Sequence, residues 1–150
     1  MSIQFFIEGA PVAQGRPRFA RMGNFTKVYD PKKSKDWKEY VLKVAKSKLG
    51  KAPLLEGPLE MTLVFWMPRP KSLPKKVIHH IKKPDVDNLV KGVKDALSGF
   101  CYGDDKQIIE LHAVKKYALV GEPGGVDVAI REISESESLR RIQEGKGVFY

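Results

Sequence analysis

Residues 82–97 read Lys82-Lys83-Pro84-Asp85-Val86-Asp87-Asn88-Leu89-Val90-Lys91-Gly92-Val93-Lys94-Asp95-Ala96-Leu97, and after five intervening residues comes Gly103-Asp104-Asp105-Lys106-Gln107. Leu89, Val93, Ala96 and Leu97 recur on one face and Gly99 stops the pattern, so the spacing predicts a helix over Asn88–Ser98 with Asp85 or Asp87 as its N-cap. Pro84 biases the residue before it toward extended backbone, and in an extended segment Asp85 and Asp87 project from the same side. With Asp105 or Asp104 brought alongside, these carboxylates form a hard oxygen set of the kind Mg²⁺ or Mn²⁺ accepts, water completing the octahedron. Lys91 follows Asp87 by one helical turn, where a cation can clamp a phosphate or stabilise charge developing on it. The same residues also admit a purely structural reading: Asp87 as a cap, and Asp87 with Lys91 as a helix ion pair stabilising by roughly 0.3–0.5 kcal/mol.

Reach limits how the second acidic patch joins the first. A helix of about 11 residues carries the chain roughly 16 Å from Asp87. The six residues Phe100 to Asp105 span up to about 20 Å when extended, so a site within one chain is feasible and a site shared with a second subunit is the alternative.

Outward from this stretch, Leu59–Met67 is a run of β-formers bounded by Gly57-Pro58 and Pro68, apolar on both faces and therefore expected to be a central strand. Ile108–Leu119 and Val126–Ile133 read as two further strands, and Pro123-Gly124-Gly125 between them predicts a hairpin. Ile3–Gly9 alternates as a first strand. Trp37, Val41, Val44, Ala45 and Leu49 mark a helix over Lys32–Leu49, capped at Asp30-Pro31 and ended by Gly50. Between them, Gly9–Tyr29 carries Pro11, Gly15, Pro17 and Gly23 and reads as a long connection; its Arg16, Arg18 and Arg21 interleaved with Phe19 and Phe25 suit either a backbone-gripping arm or a solvated hairpin. Residues 134–150 are polar and read as a mobile tail or a short surface helix. The fold expected is α+β: a mixed sheet of about four strands with two helices packed on it.

The chain has 150 residues and a net charge of +9, divided unevenly. Residues 1–83 carry +12 and residues 84–150 carry −3. A basic surface attracts polyanions, and an acidic cluster beside it would repel a nucleic acid unless a cation intervenes; a divalent metal resolves that conflict. The single Cys101 excludes an internal disulfide, no apolar run approaches the roughly 18 residues of a membrane span, and the N-terminus lacks signal-peptide character, so a soluble cytoplasmic protein is expected. His79-His80 sits in a basic loop and reads as solvent-facing rather than ligating. Cys101 reads as an apolar filler and His112 as structural, while Gly92 inside the helix suggests close approach of another backbone, such as a dimer partner's.

Asp85-Val86-Asp87-Asn88 with Lys91, Asp95-Ala96-Leu97 at the helix end and Asp104-Asp105-Lys106-Gln107 before a strand together resemble the RusA-type Holliday junction resolvases, endonucleases of bacteria, phages and prophages. The resemblance extends over about residues 1–133 and includes Gly15-Arg16-Pro17-Arg18; residues 134–150 lie outside it, as a tail of unknown role. It implies a homodimeric, Mg²⁺-dependent endodeoxyribonuclease, Mn²⁺ being a possible substitute, that resolves four-way junctions by paired symmetric incisions and uses no membrane and no small-molecule cofactor. The family's essential acids match Asp85, Asp87 and Asp105, its essential lysine matches Lys91, and Asp104 matches a less critical fourth acid. Cys101-Tyr102-Gly103 departs from the aromatic or long apolar pair that often precedes the acids, which leaves the geometry of the turn open. Arg16, Arg18, Lys75, Lys76, Lys82 and Lys83 are the candidates for DNA grip. A non-catalytic basic DNA-binding module, and a metal-dependent nuclease acting on other branched or single-stranded nucleic acid, are the competing readings.

Overall fold

Strand β4 (Leu59–Met67) organises the molecule: Leu59, Met61, Leu63, Phe65 and Met67 are buried, and the alternate residues are half-buried. The computed structural model describes residues 1–16, 18–29, 31–51 and 54–145. In chain order the elements are β1 (Ser2–Glu8), β2 (Arg18–Met22), β3 (Phe25–Tyr29), α1 (Lys32–Leu49), β4, α2 (Val86–Leu97), β5 (Ile108–Tyr117), β6 (Gly125–Glu132) and α3 (Glu135–Gly145). Four strands form one mixed sheet in the order β1-β6-β4-β5, with β4 and β5 parallel and the other pairs antiparallel. A parallel pair needs a crossover, and α2 provides it. Trp37, Val41 and Ala45 of α1 and Leu89, Val93 and Leu97 of α2 close over Phe5, Ile7, Met61, Leu63 and Phe65, so both helices pack on one sheet face around one core. The expected α+β architecture is therefore present.

The first helix spans the expected Lys32–Leu49, and Gly50 ends it at φ +61° with its N–H on the Lys46 carbonyl at 2.9 Å. Its N-cap is Pro31; Asp30, expected to help cap it, lies outside the described residues. Helix α2 begins at Val86, two residues before the sequence-based boundary, and Asp85 is its N-cap residue.

Three expectations are corrected. First, β5 and β6 do not form a hairpin: β4 lies between them, pairing parallel with one and antiparallel with the other. The glycines after Pro123 serve close approach instead. A Cβ on Gly124 would meet the Trp66 carbonyl oxygen at 2.5 Å, and one on Gly125 would overlap the Phe6 ring and meet the Ile7 carbonyl oxygen at 2.6 Å. Second, Gly9–Tyr29 is not connection throughout: the hairpin, one of its two readings, is present, β2 paired with β3 from Arg18↔Tyr29 to Met22↔Phe25. Gly23, at φ +65°, takes the first position of its two-residue turn, as a type II′ reversal requires. Third, the backbone that approaches Gly92 belongs to the same chain: Val12–Gln14 crosses α2 there, with the Gln14 N–H donating to the Asn88 carbonyl at 3.0 Å.

The described part of the tail is helical. Helix α3 lies over the opposite sheet face, where Arg131 pairs with Glu137 at 2.8 Å and Arg141 pairs with Glu60 and Glu137 at 3.1 Å and with Glu110.

Candidate active site

Val86, Asp87, Val90, Lys91, Lys94 and Asp95 recur on one side of α2 at four-residue spacing, and this side lines a groove of about 420 Å³. Asp105 and, from β5, Leu111 and Ala113 supply the opposite wall. Three sequence candidates, Asp87, Lys91 and Asp105, thus meet on one groove within a single chain. Asp85, the residue before α2, is not among the residues that line this groove; its exposed carboxylate makes no capping hydrogen bond although its carbonyl accepts from the Leu89 N–H at 3.2 Å. The structural reading of these acids as caps is therefore not realised at Asp85. Nor is Asp87 spent on Lys91, which pairs forward with Asp95 at 3.6 Å. Asp95 is a groove residue beyond the sequence candidates, although its position eight residues after Asp87 puts it two turns along the same stripe.

The chain returns to Asp105 by a tight turn. Gly99 at φ +88° donates to the Tyr102 carbonyl at 2.7 Å, while the Phe100 and Cys101 N–H groups close onto Leu97. Tyr102, fully buried, places its hydroxyl 2.9 Å from the Lys94 carbonyl and 3.2 Å from Asp105 Oδ1, so one phenol ties α2 to the second acidic patch. Burial and then the charge of Asp105 push this phenol well above its ordinary range, which keeps it protonated as a donor. Asp104 has a different duty: its Oδ1 accepts from the Lys106 N–H at 2.9 Å and caps a 3-10 turn, Asp105–Gln107. Gln107 closes that box, accepting from the Gly103 and Asp104 N–H groups and donating to the Leu55 and Gly57 carbonyls. Together these bonds fix the turn that the Cys101-Tyr102-Gly103 departure left open.

Lys115 positions the other end. Its ammonium donates to the carbonyls of Lys82 and Pro84, both at 2.7 Å, and so pins the segment that delivers Asp85.

Of the DNA-grip candidates, Arg16 and Lys83 line a second groove of about 600 Å³ with Gly15 and Pro84, directly before Asp85. Lys82 and Lys83 are exposed, as are Lys75 and Lys76 on the turn held by Arg69, which donates to the Val77 carbonyl at 2.6 Å and to Pro74. The side chain of Arg18 lies outside the described residues.

The remaining candidates take structural positions. His80 packs on Tyr117 with ring centroids 4.7 Å apart, and burial followed by the nearby Lys115 lowers its pKa, which favours the neutral ring. Burial pushes the Cys101 thiol up to about 11, in keeping with an apolar filler. Among the described residues, the carboxylate and histidine atoms that come within 4.8 Å of one another are those of Glu60, Glu110 and His112, on the face away from the groove. Both glutamates there already carry arginine partners, so this cluster is an ion-pair clamp rather than a metal centre.

Residues 8–131 match the family model described as endodeoxyribonuclease RusA. The chain is also similar to the uncharacterized protein YqaN of Bacillus subtilis strain 168, at 41% identity over 142 residues covering 88% of this chain and 97% of that protein. Among the described residues no helix is long and apolar enough to cross a membrane. With the matched segment spanning both acidic patches, Lys91, β4, β5 and β6 as far as Arg131, the chain belongs to the RusA family of endodeoxyribonucleases.

Proposed function

We propose that this chain resolves four-way DNA junctions as a divalent-metal-dependent endonuclease, through paired symmetric incisions made by a homodimer. The observation that carries the reading is the convergence of Asp87, Lys91 and Asp105 on one groove, with Asp85 at the N-cap of the helix that lines it. The donor set fits a hard divalent cation such as Mg²⁺ or Mn²⁺: all the candidate ligands are carboxylate oxygens, and those of Asp85 and Asp87 are exposed and carry no cap hydrogen bond or ion pair among the described residues. Asp85, Asp87 and Asp105 would hold it, with Asp104 supporting the turn. A metal bound there lowers the pKa of a coordinated water and offsets phosphate charge.

The protein's own groups complete the chemistry. Water oxygen attacks phosphorus in line, the P–O3′ bond breaks, and the products carry 5′-phosphate and 3′-hydroxyl ends. Lys91 stabilises the charge that builds on the non-bridging oxygens in the transition state. Tyr102 and Lys115 hold the two acidic patches in place, and Val90, Leu111 and Ala113 form an apolar wall that strengthens electrostatic interactions along it. Arg16, Arg18, Lys75, Lys76, Lys82 and Lys83 contact the DNA backbone. Residues 1–133 form the nuclease domain, and residues 134–150 form an appended tail. Support for the dimer comes from β5, an edge strand whose Ile109 is 61% exposed beside the groove.

A substrate panel tests the proposal: a four-way junction, a flap, a linear duplex and an RNA, each with Mg²⁺, with EDTA and with Asp87→Asn protein. Junction-selective, Mg²⁺-dependent cutting lost in Asp87→Asn supports it. Cutting of flap or RNA in preference to junction overturns the substrate assignment, and metal-independent junction binding without cutting makes the protein a binding module.

A further inference from the structure

The β2–β3 ribbon exposes large apolar side chains that the nuclease chemistry does not use. Phe19 is 70% and Phe25 66% exposed, with Met22 and Val28 also open to solvent. Register places Phe19 opposite Val28 and Arg21 opposite Thr26 on one face, and Met22 opposite Phe25 on the other face beside the turn. A two-stranded ribbon alone is marginal in water, and large apolar side chains left open on both of its faces mark a contact element that inserts rather than one that lies flat.

Charge selects the partner. Residues 10–29 contain Arg16, Arg18, Arg21 and Lys27 and no Asp or Glu. Rings interleaved with cations and free of acids suit nucleic acid, where guanidinium groups meet phosphates and rings stack on bases. A purely apolar protein groove would leave those cations unmatched.

Placement connects the ribbon to the cutting groove. At its root the Gly15 N–H donates to the buried Ser34 hydroxyl at 2.8 Å, and a Cβ on Gly15 would press on Pro31 at 2.9 Å. Gln14 is bonded to Asn88 of α2, and Arg16 shares a groove with Lys83 and Pro84, next to Asp85. The segment that enters the ribbon is therefore bonded to α1 at Ser34 and to α2 at Asn88, the residue after Asp87.

We propose that Phe19 and Phe25 stack on bases exposed at a DNA branch point, so that the ribbon selects branched over linear DNA for the adjacent site. This rests on the nuclease reading above. A linear duplex keeps its base faces stacked along its whole length, whereas a crossover that is opened unstacks the pairs flanking it and offers them to the rings.

The test uses a four-way junction carrying 2-aminopurine beside the crossover, whose emission rises on unstacking, with linear duplex affinity measured in parallel. Wild-type protein should raise the emission. The Phe19→Ala/Phe25→Ala protein should bind linear duplex within about twofold of wild type, because its cations remain. It should lose the emission rise and about tenfold of the preference for junction over duplex. If duplex binding falls as well, Phe19→Trp/Phe25→Trp decides: restored emission and preference support stacking, and continued loss overturns it. An alanine variant that keeps both properties, or one that changes the sedimentation mass instead, overturns the inference in favour of an inert or protein-binding ribbon. Wild-type protein that cuts junctions without raising the emission overturns the inference alone; wild-type protein that neither binds nor cuts DNA overturns the nuclease reading with it.

Discussion

Asp105 owes its place to Tyr102, a residue with no catalytic chemistry of its own. The phenol reaches both the Lys94 carbonyl and Asp105 Oδ1 from a fully buried position. Tyr102→Phe keeps the ring and removes the one O–H that the Lys94 carbonyl and Asp105 Oδ1 share, worth about 0.5–1.5 kcal/mol. The expected outcome is a fall in kcat of about three- to tenfold with little change in DNA affinity, read by single-turnover cleavage against a binding titration. At this scale the sequence announced the acids and the lysine, because Asp-x-Asp-Asn with Lys at plus four is a local pattern. It concealed the supports: Tyr102 and Lys115 act through contacts 3 to 33 residues away, which no local spacing reveals.

At the scale of elements, both helices and the four main strands were legible from periodicity, since each buries one face or one stripe. Pairing was not. Pro123-Gly124-Gly125 carries the composition of a reversal, but its glycines are needed because the chain passes within van der Waals distance of β4 and β1. A Gly125→Ala substitution puts a methyl group onto the Ile7 carbonyl and the Phe6 ring and should destabilise by about 1–3 kcal/mol, measured by urea denaturation. Helix α3 shows the opposite regime, held by charge rather than packing. Burial disfavours an ionised Glu60, but hydrogen bonds from Arg141 and Arg131 outweigh it, and Arg131 holds Glu137 low as well, so both carboxyls lie below the ordinary glutamate value of 4.5. A depressed carboxyl stabilises above the unfolded value and loses that contribution as pH falls through the native one. Amide exchange in α3 should therefore accelerate selectively below about pH 4.5 or at high salt, with β4 still protected.

Across the whole molecule, the charge split read from the sequence becomes a surface on which basic segments border an acidic groove. Arg16 and Lys83 share a groove with Pro84, the residue before Asp85. Replacing each by Ala should lower the slope of log affinity against log salt by about one for each phosphate no longer neutralised, leaving the cleavage rate of bound junction unchanged. Equal slopes before and after would remove these residues from the DNA interface. Reach, which the sequence left open, is resolved by the turn at Gly99, since Asp87 and Asp105 line one groove in one chain.

The measurement closest to the central claim is strand-by-strand mapping of nicks on a labelled four-way junction, with Mg²⁺, with EDTA, and with Asp87→Asn protein. The predicted result is paired nicks at symmetric positions on two opposing strands, carrying 5′-phosphate ends, that require both Mg²⁺ and Asp87. Nicks that persist in EDTA or in Asp87→Asn protein would contradict it.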